Sequence, residues 1–282
     1  MARIVQFMSA VGELSRAESP SIPPVWERHL LNARDPPHVS FTHHEYDIVP
    51  DTKGTLAPVD DMVYRSFFFG PAEISTLRSR LPPHFRRCTT FELLTACIWR
   101  CHNRYFSGPD EVVRVICIVN SRTLFNPPLP EGYYGNVLAS PVAISTAEEL
   151  SKNPLHYAVE LIRKTKSKVT EEYMKSVADL MVSRGRPNFA VARTYLVSSL
   201  MHMGFEEVDY GWGKPVYGGA AKVGNSPILD FESCYVPLKN NKGENGIVVP
   251  IWLRVKAMEV FVKELEMMVT ARNSSIFIQS TL

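Results

Sequence analysis

No apolar run among the 282 residues is long enough to cross a bilayer, which takes about 20 consecutive apolar residues. No secretory leader is visible at the start either, so the cytosol is the expected location. Cysteine is scarce: Cys88, Cys97, Cys101, Cys117 and Cys234. None forms a close Cys-x-x-Cys pair, and no histidine cluster joins Cys97 and Cys101, which excludes the common zinc frameworks. All five are expected to be reduced core thiols, in a reducing compartment. Neither charge sign dominates, with 31 basic against 29 acidic residues and a net charge of +2. No basic face of the kind that binds nucleic acid stands out. There is no GxSxG elbow to supply a serine nucleophile. Gly213-Lys214 runs into Pro215, which excludes a Walker loop, and Gly211-Trp212-Gly213 has no third glycine for a dinucleotide fingerprint.

The composition, 45% hydrophobic and 21% charged, is that of a globular chain able to bury a core without staples. Ile4, Phe7, Met8, Val11 and Leu14 recur at helical spacing. Residues 19–60 hold Pro20, Pro23, Pro24, Pro36, Pro37, Pro50 and Pro58, a density that excludes long helices and marks a connecting segment. Tyr64–Phe69 reads as a strand. Pro71 suits the first turn of a short helix to Arg80. Thr89 and Glu92 form a capping box ahead of a helix with Leu93, Leu94, Cys97, Ile98 and Cys101 on its apolar face. Strands are predicted at 112–119, 195–200, 229–238 and 247–254, with a hairpin connection at 240–243. Helices are predicted at 154–183, carrying a solvated basic face of Arg163, Lys164, Lys166 and Lys168, and around Met258, Phe261, Leu265 and Met268. Mixed helices and strands make the class α/β or α+β.

The informative segment is Asp209-Tyr210-Gly211-Trp212-Gly213-Lys214-Pro215, within a glycine-rich stretch that runs to Gly224. Its glycines permit an unusual backbone path, its tryptophan offers an apolar anchor, and its aspartate needs a partner if buried. On residues alone, a rigid structural turn accounts for it equally well. The segment resembles the DFGWG motif of the BAHD family of plant acyl-CoA-dependent acyltransferases, with Tyr210 in place of phenylalanine. Val216-Tyr217-Gly218-Gly219 extends the match toward the alcohol acyltransferase and benzyl alcohol benzoyltransferase branch. Further blocks resemble the family: residues 6–13, Pro24-Val25-Trp26, Ala33-Arg34-Asp35-Pro36-Pro37, residues 90–100, Asn120-Ser121-Arg122, Asn126-Pro127-Pro128 and Gly132-Tyr133-Tyr134-Gly135-Asn136. Together they span almost the whole chain.

The resemblance implies a chloramphenicol-acetyltransferase-like α/β architecture. Residues 1–18 would be a remnant of an N-terminal domain, 19–62 a crossover segment and 63–282 the C-terminal acyltransferase domain. It implies transfer of an acyl group from acyl-CoA, a co-substrate rather than a resident cofactor, to an alcohol. It implies a monomer in the full-length form, with no metal. It makes the 209–213 loop structural, with Asp209 paired to Arg122. The family's general base is the histidine of an HxxxD motif placed just before the helix resembling residues 4–16. No such motif precedes that helix here, so no catalytic residue is assigned and the chain is expected to be inactive by itself. The alternative is a non-catalytic module that binds CoA or a partner. His43-His44-Glu45-Tyr46-Asp47 matches HxxxD as text, but it has no following glycine and falls in the crossover segment. His84, His102, His156 and His202 are expected to be core, loop or surface residues.

Overall fold

A computed structural model describes residues 2–49, 61–106, 108–219 and 232–270. The start of the strand expected at 229–238 and the end of the glycine stretch at Gly224 lie outside them. Helix α1 is Ala2–Ser15. Among its described residues, the proline-rich stretch that follows forms only short turns, at Arg28–Leu31 and His44–Tyr46. Then come β1 (Met62–Phe69), α2 (Pro71–Ser79), α3 (Thr90–Phe106), β2 (Val112–Cys117), β3 (Val119–Asn120), β4 (Leu138–Ala139), β5 (Val142–Thr146) and α4 (Ala147–Lys152). The chain continues through α5 (Leu155–Ser167), α6 (Glu171–Ser183), β6 (Thr194–Ser199), β7 (Glu232–Lys239), β8 (Asn245–Arg254) and α7 (Val255–Val269).

Six strands form one mixed sheet in the order β1-β8-β7-β6-β2-β5, in which β7, β6 and β2 run parallel to one another while the pairs β1·β8, β8·β7 and β2·β5 are antiparallel. The β-branched run of β2 suits a strand covered on both faces. Val113, Val115 and Cys117 point into the main core with α3, α5 and α7. Ile116 points the other way and meets Leu196, Phe189 and Val191. The same second face, at Cys234 and Val236, receives Val5 and Met8 of α1 together with Phe205 and Val208. Helix α1 is thereby fixed to this sheet rather than standing off from it.

Thr89 caps α3 as expected, accepting the Glu92 N–H at 3.2 Å while Glu92 accepts the Thr89 N–H at 3.0 Å. The other Glu92 oxygen binds Lys166 at 2.9 Å, and Arg163 lies 3.9 Å away. Two of the four basic residues expected on a solvated face therefore neutralise a buried carboxylate. The helix expected over 154–183 is two helices. Thr170 ends the run by accepting the Tyr173 N–H at 3.1 Å, and Glu171 and Glu172 open the next first turn, where negative charge meets the positive end of the helix. All five cysteines are buried and free. No helix of the described residues is long and apolar enough to cross a membrane.

Candidate functional site

In open α/β sheets a crevice opens beyond the carboxyl ends of parallel strands, where the connections diverge. Here β2 and β6 end side by side, with Cys117 paired to Val197 and the Ile118 N–H bonded to the Val197 carbonyl at 2.9 Å. A cleft of about 50 Å³ lies beyond them, lined by Ile118, Asn120, Arg122, Leu138, Ser198 and Ser199 among others. A second cleft, of about 360 Å³, lies between the polar side of α1 (Gln6, Ser9, Glu13), the Ser21-Ile22 segment and Gly132. Arg122 lines both. Its Nη2 donates to the Gly135 carbonyl and its Nη1 to Asn120 Oδ1 at 3.3 Å, so its guanidinium is held between the two spaces.

The lips of the larger cleft are fastened by backbone bonds. Val25 donates to the Gly132 carbonyl at 3.0 Å, and Tyr134 donates to the Val25 carbonyl at 2.7 Å. Gly132 has φ +76°, and a Cβ there would collide with the Pro23 carbonyl, so this approach requires glycine. Glu13 accepts the Ser21 N–H at 2.9 Å and the Ser21 hydroxyl at 2.5 Å. Those bonds, the hydroxyl first, hold the Glu13 carboxyl below its ordinary range. Neither cleft is lined by a histidine. The lining can hold and orient a ligand, with Arg122 as its cation. Its one carboxylate, Glu13, is already engaged.

The Asp209–Gly213 loop seats α1. The Ser15 hydroxyl donates to the Tyr210 carbonyl at 3.0 Å, and the Arg16 guanidinium donates to the Asp209 carbonyl. Gly12 lies against that same carbonyl so closely that a Cβ would overlap it. Asp209 Oδ1 accepts the N–H of Gly211 at 2.7 Å and of Gly213 at 3.1 Å. The Gly211 bond, followed by that of Gly213 and the charge of Arg16, holds the Asp209 carboxyl below its ordinary range against the effect of partial burial.

The expected Asp209–Arg122 pair is not among the ion pairs of the described residues. The carboxylate folds back onto its own loop, where two N–H groups take it, while Arg122 is held by Gly135 and Asn120. Trp212 is no buried anchor either, being 93% exposed, because Gly211 and Gly213 at φ +97° and +99° turn the loop outward. Gly12, Ser198 and Ser199 were not singled out in the sequence. A lone glycine inside the apolar pattern of α1 was the available signal for Gly12. The two serines carried none.

None of the eight histidines is among the residues lining either cleft. His43 is buried. Asp47, its textual partner in the HxxxD match, bonds the neighbouring His44 at 3.0 Å. Burial pushes the His102 imidazole down to about 4, so it stays neutral beside Tyr195.

The sheet with its strand-end clefts is of the chloramphenicol-acetyltransferase-like type. Vinorine synthase superposes with a TM-score of 0.66 at 20% identity, over 96% of this chain and 60% of that one. TRI101 of F. sporotrichioides, solved with coenzyme A and T-2, gives 0.66 at 19% identity, over 93% of this chain and 62% of that one. At these identities the likeness establishes the fold. The chain belongs to the Transferase family, whose model matches residues 2–268, and within it to the BAHD acyltransferases. It is 64% identical over 267 residues to a benzyl alcohol O-benzoyltransferase of Petunia hybrida, and 64% over 265 to one of Nicotiana tabacum. It is 49% identical over 273 residues to alcohol acyl transferase 1 allele GSa of Malus domestica. These matches cover 93–94% of this chain but 58% of each relative.

Proposed function

We propose that this chain supplies the strand-end clefts of an enzyme that transfers an acyl group from acyl-CoA to an alcohol, with esters of benzyl or short aliphatic alcohols as products. The observation that carries this is the pair of clefts sharing Arg122, in a chain 64% identical to proteins named benzyl alcohol O-benzoyltransferase. In the reaction the alcohol oxygen attacks the thioester carbonyl, a base takes its proton, and the CoA thiolate leaves and is reprotonated. Among the described residues, Arg122 is the one cation in the two linings, and it suits an anionic part of CoA. Residues 63–282 are the acyltransferase domain in this reading, and 19–62 the crossover that closes the larger cleft. The enzyme works as a cytosolic monomer with no resident cofactor.

A second reading has an observation of its own. No histidine lines either cleft, so these residues alone bind without turning over. The test is ester formation from acetyl-CoA or benzoyl-CoA with butanol or benzyl alcohol, followed by gas chromatography. The chain is assayed alone and co-expressed with the part of the Petunia relative that the match leaves out. No ester from the chain alone and ester from the pair is the expected result. No ester from the pair, while the intact Petunia protein is active in the same assay, overturns the proposal.

A further inference from the structure

We infer that His43 is the pin of a latch fastening residues 40–47 to α6, and that a proton on its Nε2 opens the latch. Ser176 of α6 is fully buried, and its Oγ accepts the N–H of Ser40 at 3.0 Å and of Phe41 at 3.1 Å. A hydroxyl oxygen has two lone pairs and one proton. Both lone pairs are taken, so the proton points to the remaining neighbour, His43 Nε2, at 2.8 Å. That nitrogen must accept, and the imidazole proton then sits on Nδ1, which donates to Glu45 Oε1 at 3.0 Å. The same Glu45 oxygen accepts the Tyr173 hydroxyl at 2.5 Å. The result has the connectivity of a serine–histidine–carboxylate triad, but the serine is sealed and its oxygen is committed to backbone donors. It holds structure rather than attacking a substrate.

The sign follows from what surrounds the ring. From its own segment come Glu45, the Tyr46 ring at 6.5 Å and Phe41, while His44 and Asp47 pair with each other in solvent. Helix α6 presents Tyr173 edge-on at 4.9 Å and Ser176; its ionised Glu172 and Asp179 are taken by Arg34. The segment after α6 adds Phe189, stacked on Tyr46, and the Ala190 N–H on the Glu45 carbonyl. On the sheet, the charge of Arg114 interacts with Asp47. The neutral tautomer already makes the Nδ1–H bond to Glu45. The added proton goes to Nε2, where its partner among the described residues, Ser176 Oγ, has no lone pair left. Protonation therefore turns an O–H···N bond into two opposed donors and loosens the two backbone N–H groups that Ser176 holds.

The experiment is NMR on the 282-residue chain, with the His43 nitrogens resolved and amide exchange followed between about pH 5 and 8, where histidine changes charge. The expected result is Nδ1–H with bare Nε2 at neutral pH. The protection of the Ser40 and Phe41 amides should then fall by about tenfold as His43 takes up its second proton, since one hydrogen bond of roughly 1.4 kcal/mol corresponds to that factor. His43→Gln offers an amide oxygen to the Ser176 hydroxyl and cannot protonate there, so its Ser40 and Phe41 protection should be flat with pH. Nε2–H at neutral pH, unchanged protection through the titration, or a His43 that stays neutral until the whole chain unfolds overturns the inference. The first of these needs no variant to fold.

Discussion

Gly12 lies on the buried side of α1, where the helix meets the carbonyl of Asp209. Two effects of Gly12→Ala oppose each other. Alanine is the better helix former by about 1 kcal/mol. Its Cβ would overlap a backbone oxygen that Arg16 also holds, and backbone cannot swing aside as a side chain can. Overpacking of this kind costs about 1–3 kcal/mol. The steric effect wins, so the variant should have a lower urea midpoint and faster amide exchange through α1. A raised midpoint would mean that helix propensity decides, and that α1 does not rest on the 209–213 loop.

At the scale of elements, the seam between the proline-rich stretch and α6 is polar where it fastens. Glu172, Ser176 and Asp179 fall on one face of the helix, four and three residues apart. Asp179 is fully buried, accepts the Arg34 and His38 N–H groups at 2.7 and 3.0 Å, and pairs with Arg34 Nε at 2.6 Å. Burial alone would raise its carboxyl, but those two N–H groups and the guanidinium outweigh it and hold the group below its ordinary value. Asp179→Ala would strand a cation and two backbone donors, at a cost of roughly 3 kcal/mol. Denaturant midpoints would show the loss, and limited proteolysis should begin within residues 34–47; an unchanged midpoint would mean the seam contributes little. Because the carboxyl is held low, its contribution is present above the ordinary aspartate range and fades as pH falls through the depressed value.

Little of this seam was legible in the sequence. The prolines of 19–60 excluded long helices, and the described residues of that stretch hold only short 3-10 turns, but a contact between Arg34 and a residue 145 positions away leaves no local period to read. The break at Thr170 was legible in principle, since threonine followed by two glutamates is a helix start. It was hidden by apolar spacing that runs on across it. For the candidate site, motif resemblance singled out Arg122 and the 209–213 loop as a structural pair. It did not fix their partners, which depend on which donor the folded backbone brings nearest.

Across the whole molecule, α1 carries apolar residues outside the core as well as in it. Val5 is in the core, whereas Ile4, Phe7, Val11 and Leu14 are 38–59% exposed and line up at helical spacing on the outward face. Trp212 and Val216 stand almost fully in solvent beyond the loop that seats α1. Apolar residues scattered singly over a surface need no account, but four in register along one helix make a stripe, and water drives such surfaces together. The isolated chain should therefore self-associate as its concentration rises and bind a dye such as ANS. Phe7→Lys with Leu14→Lys should abolish both. Neither side chain is in the core, so the double variant should keep its circular dichroism and, as surface changes do, alter stability by no more than about 0.5 kcal/mol at each site. Sedimentation across a concentration series separates the outcomes. Association that persists in the double variant would place the sticky surface elsewhere. A wild-type chain that stays monomeric and dye-free would show that an exposed stripe of four residues is too small to drive contact, and the outward face of α1 would then need no partner at all.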